Sequence, residues 1–117
     1  MPTRVLVLED DPISRLFLVR NIEEDPDFEV TAVSRGEAAI EAADSRHFDI
    51  LLADIYMQGI DGIETAKRIC QRHNVTVIFL TARSDPETRA RAQTVGPRAI
   101  FSKPTDVKQI LEMMRPD

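Results

Sequence analysis

A doubly wound α/β fold, a parallel sheet with helices on both faces, is predicted by three observations. Short apolar runs recur five times along the 117 residues, and the segments between them carry apolar residues at helical spacing. Helix-start signals stand before most of those segments. Strand and helix alternate throughout, and that order demands right-handed crossovers between parallel strands.

The first run, Val5 to Leu8 (VLVL), is apolar without alternation, as expected of a strand covered on both faces. Asp11 before Pro12 reads as an N-cap followed by proline at the first helical position, with Ile13, Leu16, Phe17 and Ile22 as the inward stripe. Phe28 to Val33 alternates and reads as a strand nearer an edge. Ser34-Arg-Gly-Glu37 has the spacing of a capping box and leads into Ala38, Ala39, Ile40, Ala42 and Ala43. Ile50 to Ala53 (ILLA) is a second doubly covered strand, followed by a helix from about Gly62 to His73 that turns Ile63, Ala66, Ile69 and Cys70 inward. Val75 to Leu80 is the fourth strand, and Ser84-Asp85-Pro86 opens the fourth helix. Ala99 to Phe101 is the fifth strand, and Thr105-Asp106 opens a helix that buries Val107, Ile110, Leu111 and Met114.

Composition bounds the function. At 13.2 kDa the chain is the size of one domain, and 43% hydrophobic with 30% charged residues excludes a disordered tail. A formal net charge of -5 argues against attraction to a nucleic-acid backbone or an anionic membrane. The single cysteine, Cys70, permits no internal disulfide and no two-cysteine zinc motif, which points to a reduced, cytoplasmic setting. No signal-peptide stretch, internal repeat or Gly/Ser/Pro-rich linker interrupts the chain.

In doubly wound sheets ligands sit outside the carboxyl ends of the strands. Glu9, Asp10 and Asp11 follow the first strand, Asp54 the third, Thr81 the fourth, and Lys103 with Pro104 the fifth. Each has an ordinary structural account alone: a helix cap, a turn former before Gly59 and Gly62, a surface charge. Their convergence on one edge of the sheet is what points to chemistry. Clustered carboxylates repel, and a hard divalent cation with oxygen ligands, most plausibly magnesium, relieves that. Asp54 would then be a nucleophile toward phosphorus, with Thr81 and Lys103 as donors to phosphoryl oxygens. Asp11 fits a helix N-cap better than a metal ligand.

These residues resemble the receiver domain of bacterial two-component response regulators. The resemblance rests on VLVLEDD, LLADIYMQGIDG, VIFLTA and FSKP, spread over nearly the whole chain. It implies a flavodoxin-like five-stranded sheet of order 2-1-3-4-5 with five helices. It implies that Asp54 is the phosphoacceptor, that Glu9, Asp10, Asp54 and the backbone carbonyl of Tyr56 hold Mg2+, that Thr81 is the switch hydroxyl and that Lys103 pairs with the phosphoryl group. Pro104 is similar to the family's cis-proline. The sequence departs from the pattern at Gln58, where proline is usual, and at Ile100, where an aromatic ring usually swings inward. Phe101 is one residue away and faces the other side of a strand. Tyr56 and Arg83 occupy positions that in the family tune the lifetime of the phosphoryl group.

The expected function is a phosphorylation-dependent switch over residues 1–117, with no output domain in this chain, fed by a sensor histidine kinase or a histidine phosphotransfer protein. It would accept and hydrolyse only its own phosphoryl group, without turning over a foreign substrate. Its partners would be a downstream effector or a fused output domain, with a dimer through the fourth helix, fifth strand and fifth helix, and with no direct nucleic acid and no membrane. Arg83, Arg89, Arg91 and Arg98, interleaved with Asp85 and Glu87, give that face mixed charge suited to a protein partner. Three other classes compete. A flavin-binding protein of this fold needs a Ser/Thr/Gly-rich loop where Glu9-Asp10-Asp11-Pro12 stands. An aspartate phosphatase needs Asp-x-Asp after the first strand. A receiver that binds partners without phosphorylation is kept open by Ile100.

Overall fold

A computed structural model describes residues 1–116. Strands β1 (Thr3–Leu8), β2 (Phe28–Val33), β3 (Ile50–Asp54), β4 (Thr76–Thr81) and β5 (Ala99–Ser102) alternate with five helices. These are α1 (Pro12–Glu23), α2 (Gly36–Ser45), α3 (Gly62–Arg72), α4 (Pro86–Gln93) and α5 (Val107–Met114). The strands form one sheet in the order β2-β1-β3-β4-β5, every pairing parallel. The flavodoxin-like topology is therefore the one expected, and the order reverses between β1 and β3.

The unalternating runs are explained by two apolar layers. On one face Leu6, Leu8, Leu51, Ala53, Val77 and Phe79 meet Ala39 and Ala43 of α2, Ile63, Ala66 and Ile69 of α3, and Ala92 of α4. On the other, Val5, Val7, Ile50, Leu52, Ile78 and Leu80 meet Leu18 and Ile22 of α1 and Ile110 and Met114 of α5. Each fully buried Leu or Ile side chain contributes about 1.5–3 kcal/mol. The edge strands β2 and β5 are only partly covered, as the alternation of Phe28 to Val33 indicates. Ile100 and Phe101 pack on opposite faces, Phe101 against the α1/α5 side.

Three local expectations are corrected. Ile22 of α1 is buried together with Leu18, but Ile13 is 79% exposed, Leu16 52% and Phe17 53%. Leu16 to Val19 is apolar around the whole helix, so two stripes fit the spacing, and the sheet receives the Leu18/Ile22 one. No capping box closes α2: its N-cap is Arg35, with no side-chain cap bond. The first helical residue is closely packed instead, since a Cβ on Gly36 would fall 2.3 Å from Thr65 Oγ1 and 2.5 Å from Ile60. Cys70 is exposed, and Thr65 takes the buried place on α3, its hydroxyl donating to the Asp61 carbonyl at 2.9 Å.

Candidate functional site

Strand register brings the polar residues level. Leu8 pairs with Ala53, Asp54 with Leu80 and Thr81 with Ser102, so Glu9, Asp54, Thr81 and Lys103 all emerge at the carboxyl edge. Glu9 is 1% exposed and Asp54 7%, both close to fully desolvated. Lys103 Nζ bridges them, donating to Glu9 Oε1 at 2.6 Å and to Asp54 Oδ2 at 3.1 Å. Asp10 is half-buried, and one carboxylate oxygen from each of Glu9, Asp10 and Asp54 lies within 4.8 Å of the others.

Backbone contacts fix each side chain. The Glu9 N–H donates to the Val33 carbonyl at 3.1 Å, and its carbonyl accepts from Arg15 Nη1 at 3.0 Å. The Asp11 N–H donates to Glu9 Oε2 at 3.1 Å, while the Asp11 carboxylate accepts from the Ser14 N–H at 2.7 Å. Asp11 is thus the N-cap of α1, as expected. After Asp54 the chain turns into α3, whose Gly62 N–H donates to the Ile55 carbonyl at 2.8 Å. A Cβ on Gly62 would lie 2.0 Å from the Asp54 carbonyl oxygen, so no other residue fits against the Asp54 backbone. The Lys103 N–H donates to the Thr81 carbonyl at 2.7 Å, and the Lys103–Pro104 peptide is cis.

Electrostatics follow from burial. Desolvation, reinforced by the Glu9 charge and opposed by Lys103, pushes the Asp54 carboxyl up to about 6. Burial also works against the Lys103 ammonium, but its bonds to Glu9 and Asp54 outweigh that and raise its pKa. Lys103 thus pairs with two of the three clustered carboxylates. The donor set is all hard oxygen, the chemistry of a Mg2+ site, and Asp10 keeps it open to solvent.

The side chains of two expected site residues are engaged with the β4–α4 segment. Thr81 is fully buried, and its hydroxyl donates to the Arg83 carbonyl at 2.6 Å and accepts the Arg83 N–H at 3.0 Å. The Tyr56 hydroxyl is bonded to Thr88 Oγ1 in α4, and the Arg83 guanidinium carbon lies 4.8 Å from the Tyr56 ring centroid. At Gln58 the N–H that a proline would lack reaches Asp10 Oδ2 at 3.4 Å, so this departure ties the loop to the acidic cluster. Thr88 and Asp61 are the residues that sequence reasoning missed. The Asp85-Pro86-Glu-Thr88 cap spacing was the available signal for the first. Asp61 caps α3 through the Glu64 N–H at 2.8 Å and accepts from Arg91 of α4 at 2.8 Å, a pairing that sequence spacing does not reveal.

A doubly wound sheet with an acidic cluster and a lysine at its carboxyl edge is the arrangement expected of a receiver domain, and comparison with known proteins bears out that family. Residues 5–115 match the family model described as the response regulator receiver domain. The chain belongs to that family. The response regulator ArlR of Staphylococcus saprophyticus is 26% identical over 97% of this chain and 51% of its own length. The transcriptional activator protein IrlR of Burkholderia pseudomallei is 28% identical over 96% of this chain and 48% of its own. The chain thus spans about half the length of these curated relatives. The crystal structure of the signal receiver domain of a modulated diguanylate cyclase from Desulfovibrio desulfuricans superposes with a TM-score of 0.89 at 32% identity, covering 97% of this chain and 91% of that one. Vibrio cholerae chemotaxis protein CheY4, at 22% identity and a TM-score of 0.88 with 97% of each chain covered, shares the fold. Among the described residues no helix is long and apolar enough to cross a membrane.

Proposed function

We propose that residues 1–117 form one receiver domain that takes a phosphoryl group on Asp54 and switches a protein-interaction surface in response. The observation that carries this reading is the Asp54 carboxylate, 7% exposed at the end of a central strand, held 3.1 Å from Lys103 Nζ inside a three-carboxylate cluster. An Asp54 oxygen attacks the phosphorus of a phosphohistidine on a sensor kinase or phosphotransfer protein. The O–P bond forms, the N–P bond breaks, and the departing imidazole nitrogen takes up a proton. Glu9, Asp10, Asp54 and the Tyr56 backbone carbonyl would hold Mg2+, which when bound neutralises charge on the phosphoryl oxygens. Lys103 moves from bridging carboxylates to pairing with a phosphoryl oxygen, and Thr81 supplies a hydroxyl donor. Water later cleaves the acyl phosphate to inorganic phosphate and the Asp54 carboxylate, so no foreign substrate is turned over.

A surface for the donor protein lies beside the site. Ile13, Leu16 and Phe17 stand exposed on α1, and Ile13 and Phe17 line a groove of about 480 Å³ that runs to Glu9 and Lys103. A partner seated there delivers its phosphohistidine to the mouth of the site. The output face is α4, β5 and α5, read by an effector, a fused output domain or a second copy. On that face Arg91 is paired with Asp61 and Arg98 with the Met113 carbonyl at 3.0 Å, so part of its mixed charge serves the fold. A kinase-fed chain with one exposed thiol suits the cytoplasm.

Intact-protein mass spectrometry after incubation with acetyl phosphate and Mg2+ tests the reading. Wild type gains one phosphoryl group, and Asp54→Asn or metal-free wild type gains none. A folded wild type that takes up nothing from acetyl phosphate or from a phosphohistidine donor favours a receiver that acts by binding alone.

A further inference from the structure

A hydroxyl carries one proton and can donate only once at a time. The Thr81 proton is committed to the Arg83 carbonyl at 2.6 Å, in a residue with no solvent exposure. Donation to a phosphoryl oxygen on Asp54 and donation to the Arg83 carbonyl are therefore mutually exclusive, although the same oxygen can still accept the Arg83 N–H. Arg83 in turn caps the Tyr56 ring, its guanidinium carbon 4.8 Å from the centroid and its Nε 3.9 Å from Asp85 Oδ1.

The bond beneath has a fixed direction. Thr88 Oγ1 donates to Asp85 Oδ1 at 2.8 Å, so its proton is spent on the carboxylate and Tyr56 must be the donor to Thr88. Side-chain and backbone bonds from Thr88 hold the Asp85 carboxyl below its ordinary range, which keeps it an acceptor. The order is Tyr56 O–H to Thr88 to Asp85, a relay ending on a charge. It joins the loop after β3 to α4, a helix of eight residues that buries only Thr88 and Ala92. Ile100, packed on that side of the sheet, offers α4 no polar contact of this kind.

We infer that the Tyr56–Thr88 bond is a latch holding α4 in its resting position, and that Thr81 releases it by withdrawing its proton from Arg83. The release half rests on the phosphoryl-acceptor reading above; the resting latch does not. With the bond to its carbonyl gone, the Arg83 segment pivots on its remaining N–H bond to Thr81, the guanidinium leaves the Tyr56 ring, the ring turns out of line with Thr88, and α4 loses the tie that supplements its small apolar contact.

Hydrogen exchange of the α4 amides Arg89 to Ala92 tests both halves on the full chain. In the unphosphorylated protein, Tyr56→Phe keeps the ring and the backbone carbonyl and speeds exchange about five- to tenfold, the weight of one partly buried hydrogen bond. Adding Thr88→Val to Tyr56→Phe produces less than the product of the two single effects, while Thr88→Ser stays within twofold of wild type because it keeps the hydroxyl. Exchange in Tyr56→Phe within twofold of wild type, or fully multiplicative effects, overturns the latch. With acetyl phosphate and Mg2+, wild-type α4 exchange rises toward the Tyr56→Phe rate, with mass spectrometry reporting phosphoryl uptake on the same samples. Uptake with unchanged α4 exchange overturns the release step. Absence of uptake from both acetyl phosphate and a phosphohistidine donor overturns the phosphoryl-acceptor reading and the release step with it, while the resting comparison still decides the latch.

Discussion

Glu9, Asp10 and Asp54 place three carboxylates within 4.8 Å against one lysine, a local excess of negative charge in a desolvated pocket. Such crowding works against folding and is tolerated for function. Asp54→Asn removes one of the charges and keeps an acceptor for Lys103. In Mg2+-free buffer the variant is more stable than wild type by about 1 kcal/mol, and added Mg2+ narrows the gap by stabilising wild type more. Urea denaturation with and without Mg2+ measures this; an Asn variant less stable than wild type in the absence of metal contradicts it. The acids and Lys103 were legible as sequence because each directly follows an apolar strand. The aim of the Thr81 and Tyr56 side chains was not, because a strand position fixes the face a side chain leaves from and not the partner it finds.

Among the elements, α3 governs the site most directly. Its first residue touches the Asp54 backbone, and its N-cap Asp61 also accepts from Arg91 of α4. Burial raises the Asp61 carboxyl, but the Glu64 N–H and the Arg91 guanidinium outweigh it and leave the pKa below the ordinary value of 3.8. A carboxyl depressed in the folded state adds stability above its unfolded pKa and loses it as pH falls through the folded value. Asp61→Ala therefore costs about 1–2 kcal/mol at neutral pH, and the difference from wild type closes as pH falls below the ordinary carboxylate value of 3.8. Denaturation series at several pH values report it, and a penalty that persists undiminished in acid excludes this origin. Four of the five helices have an aspartate or proline start that could be read in advance or a cap that follows the common rule. The capping box read for α2 does not form, and the crowding of Gly36 by Thr65 and Ile60 comes from a distant part of the chain that local spacing does not reveal.

At the scale of the whole molecule, the topology was legible because covered parallel strands leave unbroken apolar runs. What was not legible is which side of α1 faces water, since its middle is apolar all round. That rotation leaves Phe17 53% exposed beside the site. Phe17→Ser changes folding stability by less than about 0.5 kcal/mol, as surface substitutions do, and slows phosphoryl transfer from a phosphohistidine protein severalfold. Equilibrium unfolding and single-turnover transfer measure the two; a loss of about 2 kcal/mol would assign Phe17 to the core instead. The pair of bonds between Thr81 and Arg83 has a spectroscopic consequence. In the release step proposed above, the Thr81 proton goes either to the Arg83 carbonyl or to a phosphoryl oxygen on Asp54, so in phosphorylated protein the main-chain signals of Arg83 and Thr88 would report the same two arrangements. Across a panel of substitutions in this region, their nuclear magnetic resonance frequencies should shift along a single straight line, each substitution marking only how far the balance has tipped.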